Sequence, residues 1–216
     1  MKTFLLTCAS LLFVIPAHPA DLPSIVLNTA GWSVGRQPGD WQIKVIHGRP
    51  QISVCSDTET PCLHLKSVDA SFALERGVDV DPALLPYLTW HWKVTQLPGG
   101  GDFRSADTDD QAAQVLVAFD DRRVVSYIWD TTAPKGAEQK TGFIPLIHVY
   151  SVVCESGAGS ANRWIAENRN VAADYQRAYG KPAPHVKGLR IQINSQHTGS
   201  VAESYFGEVA FRGTPQ

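Results

Sequence analysis

A chain of 216 residues with 44% hydrophobic and 19% charged side chains can bury one substantial core and is too short for two comfortable ones. Its formal charge of −2 leaves no basic footprint for nucleic acid or anionic lipid. The apolar content excludes wholesale disorder, and beyond the N-terminus no apolar run reaches the ~20 residues of a spanning helix.

Residues 1–20 read as a secretory signal: Lys2 is the only charge, residues 4–15 are apolar, and small residues follow at Ala17 and Ala20. Cleavage near Ala20 would leave residues 21–216 as a single exported domain. Residues 43–46 and 51–55 are strand candidates around a 47–50 turn. Cys55 and Cys62 enclose a turn-rich segment before the next strand candidate, 62–66, and in an oxidising compartment they are a candidate disulfide. Cys154 is left over as a small buried hydrophobe, and no paired Cys or His spacing suits zinc.

Residues 71–74 give a further strand. Residues 88–94 alternate cleanly, with Leu88, Trp90, Trp92 and Val94 on the core face and His91 and Lys93 on the other. The loop 101–110 then packs Asp102, Asp107, Asp109 and Asp110 together, an oxygen-rich set that could hold a structural calcium or simply cap local turns. Residues 114–119, 124–129 and 147–154 are strands, and 164–168 is read as one more. Asn170 caps a single short helix over 171–179, with Asp174 in its first turn and Gly180 and Pro182 as stops. In 189–194, Leu189, Ile191 and Ile193 oppose Arg190, Gln192 and Asn194, and Val209 and Phe211 close the chain. Many short strands, one helix and frequent Gly/Pro turns predict a mainly β fold, an antiparallel, jelly-roll-like β-sandwich.

Several spaced segments are familiar. Trp90-His91-Trp92-Lys93-Val94, Asp109-Asp110 before a strand ending in Phe119, and Tyr127-Ile128-Trp129 form a first half. Trp164, Glu167, Arg169-Asn170-Val171, Asp174-Tyr175, Tyr179-Gly180 and the closing run from Tyr205 to Phe211 form a second. On these residues the chain resembles the bacterial secreted proteins grouped as domain of unknown function family 3047, over roughly residues 32–212. The resemblance implies export and fold, not an activity. The chain departs from the family pattern at Gln114, where an arginine is frequent, and at residues 194–199, where an Asp-rich loop is usual.

Carbohydrate recognition is the leading functional expectation, because sugars are held by flat aromatic faces and planar polar side chains. His91, Lys93, Gln114, Arg190, Gln192 and Asn194 point away from the aliphatic sides of their strands, and Tyr127 and Trp129 share a parity that could supply an aromatic floor. A second reading is a polysaccharide-degrading enzyme, lyase or glycosidase, on the same face, with His91, His148, Tyr127 and Arg190 as the groups available to a lyase. The third is an envelope scaffold pairing a protein through a sheet edge. Ser156 lacks the order of a nucleophile elbow, and no phosphate loop or dinucleotide fingerprint is present. No cofactor beyond the calcium candidate is expected.

Overall fold

The computed structural model describes residues 24–29, 32–34, 41–57, 61–141 and 147–215; the expected leader at 1–20 lies outside them. The described strands are β1 (Ser24–Leu27), β2 (Gln42–His47), β3 (Gln51–Ser56), β4 (Pro61–Val68), β5 (Ser71–Val80), β6 (Tyr87–Gln96), β7 (Ala113–Phe119), β8 (Arg123–Asp130), β9 (Glu138–Thr141), β10 (His148–Ser156), β11 (Ile165–Asn170), β12 (Val186–Asn194) and β13 (Val201–Arg212). Helix α1 (Val171–Tyr179) follows β11. They form two sheets: one ordered β11-β6-β13-β4-β3 with β1 also on β13, the other β2-β5-β12-β7-β8-β10-β9.

The two sheets stack as a sandwich, as the strand pattern predicts. The 47–50 turn is not a hairpin turn, because β2 pairs with β5 in one sheet while β3 pairs with β4 in the other. Among the described strands pairing is antiparallel with one exception: β10 runs parallel to β8, so the second sheet is mixed. Between them in the chain, β9 lies antiparallel on the outer side of β10 and so runs back toward the end where β8 began.

Between the sheets lies a core dominated by aromatic rings. Leu88, Trp90, Trp92 and Val94 face inward from β6, and Val125, Tyr127 and Trp129 face them from β8. The Trp90 and Tyr127 ring centres are 5.2 Å apart, those of Trp92 and Trp129 5.9 Å, and Trp90 meets Trp92 edge to face at 5.3 Å. Burying rings of this size supplies ~25 cal/mol per Å² removed from water, which makes this cluster the main stabilising element.

Helix α1 has the limits read from the sequence. The Asn170 side chain accepts from the Ala173 N–H at 2.9 Å, and Gly180 ends the helix at φ 72°, a left-handed conformation suited to glycine. The helix closes one side of the sandwich, where Asp174 accepts from the Tyr127 hydroxyl at 2.8 Å and pairs with Arg169 and Arg177 at 2.9 and 2.7 Å.

Candidate functional site

On the outer face of the seven-stranded sheet the side chains fall in rows across the strands. One row reads Ala73, Gln192, Gln114, Ile128 and Val153; the next reads Glu75, Arg190, Leu116, Ser126 and Ser151; the third reads Gly77, Gly188, Ala118, Val124 and Val149. In the third row two glycines face each other across β5 and β12 and an alanine follows. The side-chain layer is therefore missing over β5 and β12 and thin at β7. A Cβ on Gly77 would meet no atom within 4 Å, and one on Gly188 would lie 3.6 Å from the Ala118 Cβ. The result is a cleft of about 450 Å³, within the ~300–1,000 Å³ range of small-molecule sites. Leu116, Ala118, Val124 and Val149 form its floor, and Gln42, Glu75, Arg190 and Lys187 stand at its rim. Arg190 pairs with Glu75 and donates to Gln192 Oε1 at 3.2 Å, so three planar polar side chains are held edge to edge.

At Gln114, Ile128 and Val153 the first row is closed to a ligand. Phe103, from the loop before β7, packs over Ile128, Val153 and Ala133. Beside it Gln114 Nε2 donates to Asn194 Oδ1 at 2.6 Å, the Gln111 N–H donates to the same oxygen at 3.0 Å, and Asn194 Nδ2 donates to the Asp109 carbonyl. Gln114 and Asn194 are buried, and they tie the loop to the sheet.

The other sheet has its own polar outer face. His91 and Lys93 lie there, so the eight candidate ligand-binding residues are divided between two faces and the core. Lys93 pairs with Asp57, which also accepts from the Trp164 indole N–H at 2.9 Å, and the ammonium sits 4.5 Å from the centre of the Tyr205 ring and 5.5 Å from that of Trp164. Lys93 is 9% exposed, its charge neutralised and covered, whereas His91 is exposed. Asp57 is not singled out by the sequence, and Trp164 and Tyr205 appear there only as residues of the family resemblance, with no site role, although Tyr205 is the direct partner of Lys93 in the β13–β6 register.

Three expectations require correction. Tyr127 and Trp129 do share a face, but it is the inward one: both are fully buried, and the Trp129 indole N–H donates to the Gly157 carbonyl at 3.1 Å. They are core rings and form no ligand floor. Cys55 and Cys62 are direct cross-strand partners, yet both thiols are free, with Cys55 Sγ 3.3 Å from the Cys62 carbonyl oxygen.

The acidic loop, thirdly, does not converge on a cation site, and the described residues contain no cluster of three or more His, Cys, Asp or Glu suited to a metal. Its aspartates serve separate contacts. Asp102 pairs with Arg104 at 2.6 Å, which holds its carboxyl well below the usual range. Asp107 is exposed on a short 3₁₀ turn. Asp109 accepts from Gln111 Nε2 at 2.8 Å, while burial raises its pKa. Asp110 accepts from the Thr198 N–H and hydroxyl at 2.7 and 2.8 Å. Asn194 and Thr198 thus supply donors that fasten this loop.

One titratable group at the edge of the core stands apart. Glu167 faces inward from β11 opposite Trp90, and among the described residues its Oε1 is buried with no hydrogen-bond partner. Burial, then the Glu155 charge, pushes its pKa up to about 7, against the pull of Lys135, the Trp92 indole and Arg169. Asp174, seven residues on, is tied to Arg169 and Arg177.

Residues 39–210 match the family model described as Protein of unknown function (DUF3047). The chain belongs to this family. The DUF3047 match spans both sheets, from before β2 into β13, and includes every residue of the cleft. No curated protein matches the chain. Among solved structures it is similar to the xyloglucanase domain of NopAA, a type three effector from Sinorhizobium fredii solved with cellobiose, at 9% identity over 88% of this chain and 98% of that one, with a TM-score of 0.49. It is also similar to a family 30 carbohydrate-binding module of a Clostridium thermocellum cellulosomal cellulase, at 10% identity over 88% and 96% with a TM-score of 0.47. A third is the family GH12 endoglucanase 3 of Trichoderma harzianum, at 13% identity over 84% and 100% with a TM-score of 0.45. No helix among the described residues is long and apolar enough to cross a membrane.

Proposed function

We propose that this DUF3047 protein is exported and binds a glycan or a related polar envelope component, and that the cleft of the seven-stranded sheet is the non-catalytic site that holds it. The observation that carries the reading is the gap in the side-chain layer at Gly77, Gly188 and Ala118 beside the Glu75–Arg190 pair. A pyranose ring has an apolar C–H face and an equatorial rim of hydroxyls. The aliphatic floor suits the first, and the Arg190 guanidinium, held by Glu75 and Gln192, together with the Glu75 carboxylate and the rim amide of Gln42, suits the second. The arrangement favours binding over glycan cleavage, because a glycosidase needs two carboxylates on one bond and Glu75, tied to Arg190, is the only carboxylate among the described residues lining the cleft. Export rests on the N-terminal segment read from the sequence.

A glycan array probed with the purified protein and with Gly77→Leu tests the reading. Gly77 has open space around it, so the leucine fills the cleft without disturbing the strand. Binding to a defined glycan class, lost in Gly77→Leu, is the expected result. A silent array, or binding untouched by the substitution, contradicts it.

A further inference from the structure

On the opposite face, three polar residues from three adjacent strands form a chain of contacts outside the cleft. Ser53 on β3 and Tyr205 on β13 are the direct cross-strand partners of His64 on β4. The Ser53 Oγ lies 3.3 Å from His64 Nδ1, and His64 Nε2 lies 2.7 Å from Glu203 Oε1. The Tyr205 ring stacks on the imidazole at 4.6 Å and 15°, which fixes the ring plane.

The tautomer follows by elimination. An ionised carboxylate only accepts, so the neutral imidazole carries its hydrogen on Nε2, facing Glu203, and presents the Nδ1 lone pair to Ser53. Any proton leaving Ser53 therefore has a base waiting for it. Ser53 and His64 also line a polar hollow of about 540 Å³, together with Arg49, Gln51 and Lys66. Arg49 and Lys66 are cationic, and no carboxylate among the described residues lines the hollow. Glu203 stands behind His64, 3.8 Å from Lys66 Nζ.

We infer that Ser53 and His64 form a nucleophile–base pair, positioned by Glu203, for hydrolysis of a carboxylic ester that carries a negative charge near the acyl group. The Ser53 oxygen attacks the ester carbonyl carbon while its proton passes to His64 Nδ1. The carbon–oxygen bond to the alcohol then breaks, and the alcohol leaves with that proton. Water attacks the acyl-serine by the same route, releasing the acid and restoring Ser53. Lys66 and Arg49 offer the positive charge that an oxyanion in the hollow needs, and they select the anionic substrate. This site is independent of the cleft and stands or falls without it.

The test uses the intact protein and an alkyl fluorophosphonate, with the adduct located by peptide mass spectrometry. The expected result is a single phosphonyl adduct on Ser53, absent in Ser53→Ala and formed at least about 100-fold more slowly in His64→Ala. 4-Nitrophenyl hydrogen succinate should be hydrolysed faster than 4-nitrophenyl acetate at low salt, and Arg49→Ala should narrow the difference. Glu203→Gln should lower kcat and leave KM in place, a split that a purely structural role would not give. No adduct on the wild-type protein, an adduct on another residue, or ester hydrolysis that persists in Ser53→Ala overturns the inference.

Discussion

The buried Glu167 carboxyl should make stability fall as pH rises through neutrality. Its pKa is raised from 4.5 in the unfolded chain to about 7 in the fold, chiefly by burial and secondly by Glu155. Below pH 4.5 the group is protonated in both states and contributes no pH dependence. Between 4.5 and 7 the unfolded chain releases the proton while the folded one holds it, so the folded state loses ground until the group ionises in both. At ~1.4 kcal/mol per pH unit the full loss is about 3 kcal/mol. Glu167→Gln keeps the shape and removes the titration. In urea unfolding at a series of pH values, the variant should gain about 3 kcal/mol on the wild type between pH 4 and 8, with most of the gain between 5 and 7. A gap that stays constant with pH would refute the assignment of a raised pKa to this carboxyl.

Other substitutions probe the frame. Asp130 is fully buried and accepts from the N–H groups of Phe103, Thr132 and Ala133 at 2.7 to 2.9 Å; Asp130→Ala should cost roughly 3 kcal/mol or more in chemical denaturation, because three donors lose their acceptor. Asn170→Ala should cost about 1 kcal/mol by the same measurement, through loss of the helix cap. Trp129→Ala should lower stability by about 4 kcal/mol in urea unfolding, the cost of a core cavity; a Trp129 that served as a ligand floor would instead lose binding with stability intact. Gly101→Ala should destabilise the loop before β7 and lower Tm, since a Cβ there would fall 2.3 Å from the Asp110 carbonyl oxygen.

What the sequence revealed depended on whether local pattern or long-range register decided the outcome. Alternation in β6 and the cap and stop of α1 are local, and both were readable to within a residue or two. Tyr127 and Trp129 were correctly placed on one face, but parity alone does not say which face is inward. On β8 the opposite parity carries Val124, Ser126 and Ile128, and Ile128 is itself covered by Phe103, so both faces of the strand read as apolar. Gln114 and Asn194 do point away from the core, yet they are spent on each other and on the loop. The cleft was illegible because Gly77 and Gly188 are ordinary glycines until β5 and β12 pair them across the sheet. The Ser53–His64–Glu203 chain was hidden for the same reason, its members being joined only by the β3–β4–β13 pairing.

The central claim, a ligand seated between the small-residue row and the Arg190–Glu75 pair, is tested most directly by hydrogen–deuterium exchange of the protein with and without its best array glycan. The account predicts slowed exchange over residues 75–77, 116–118 and 187–190 on ligand addition. Protection confined instead to the other sheet, around His64, His91 to Lys93 and Tyr205, would contradict it.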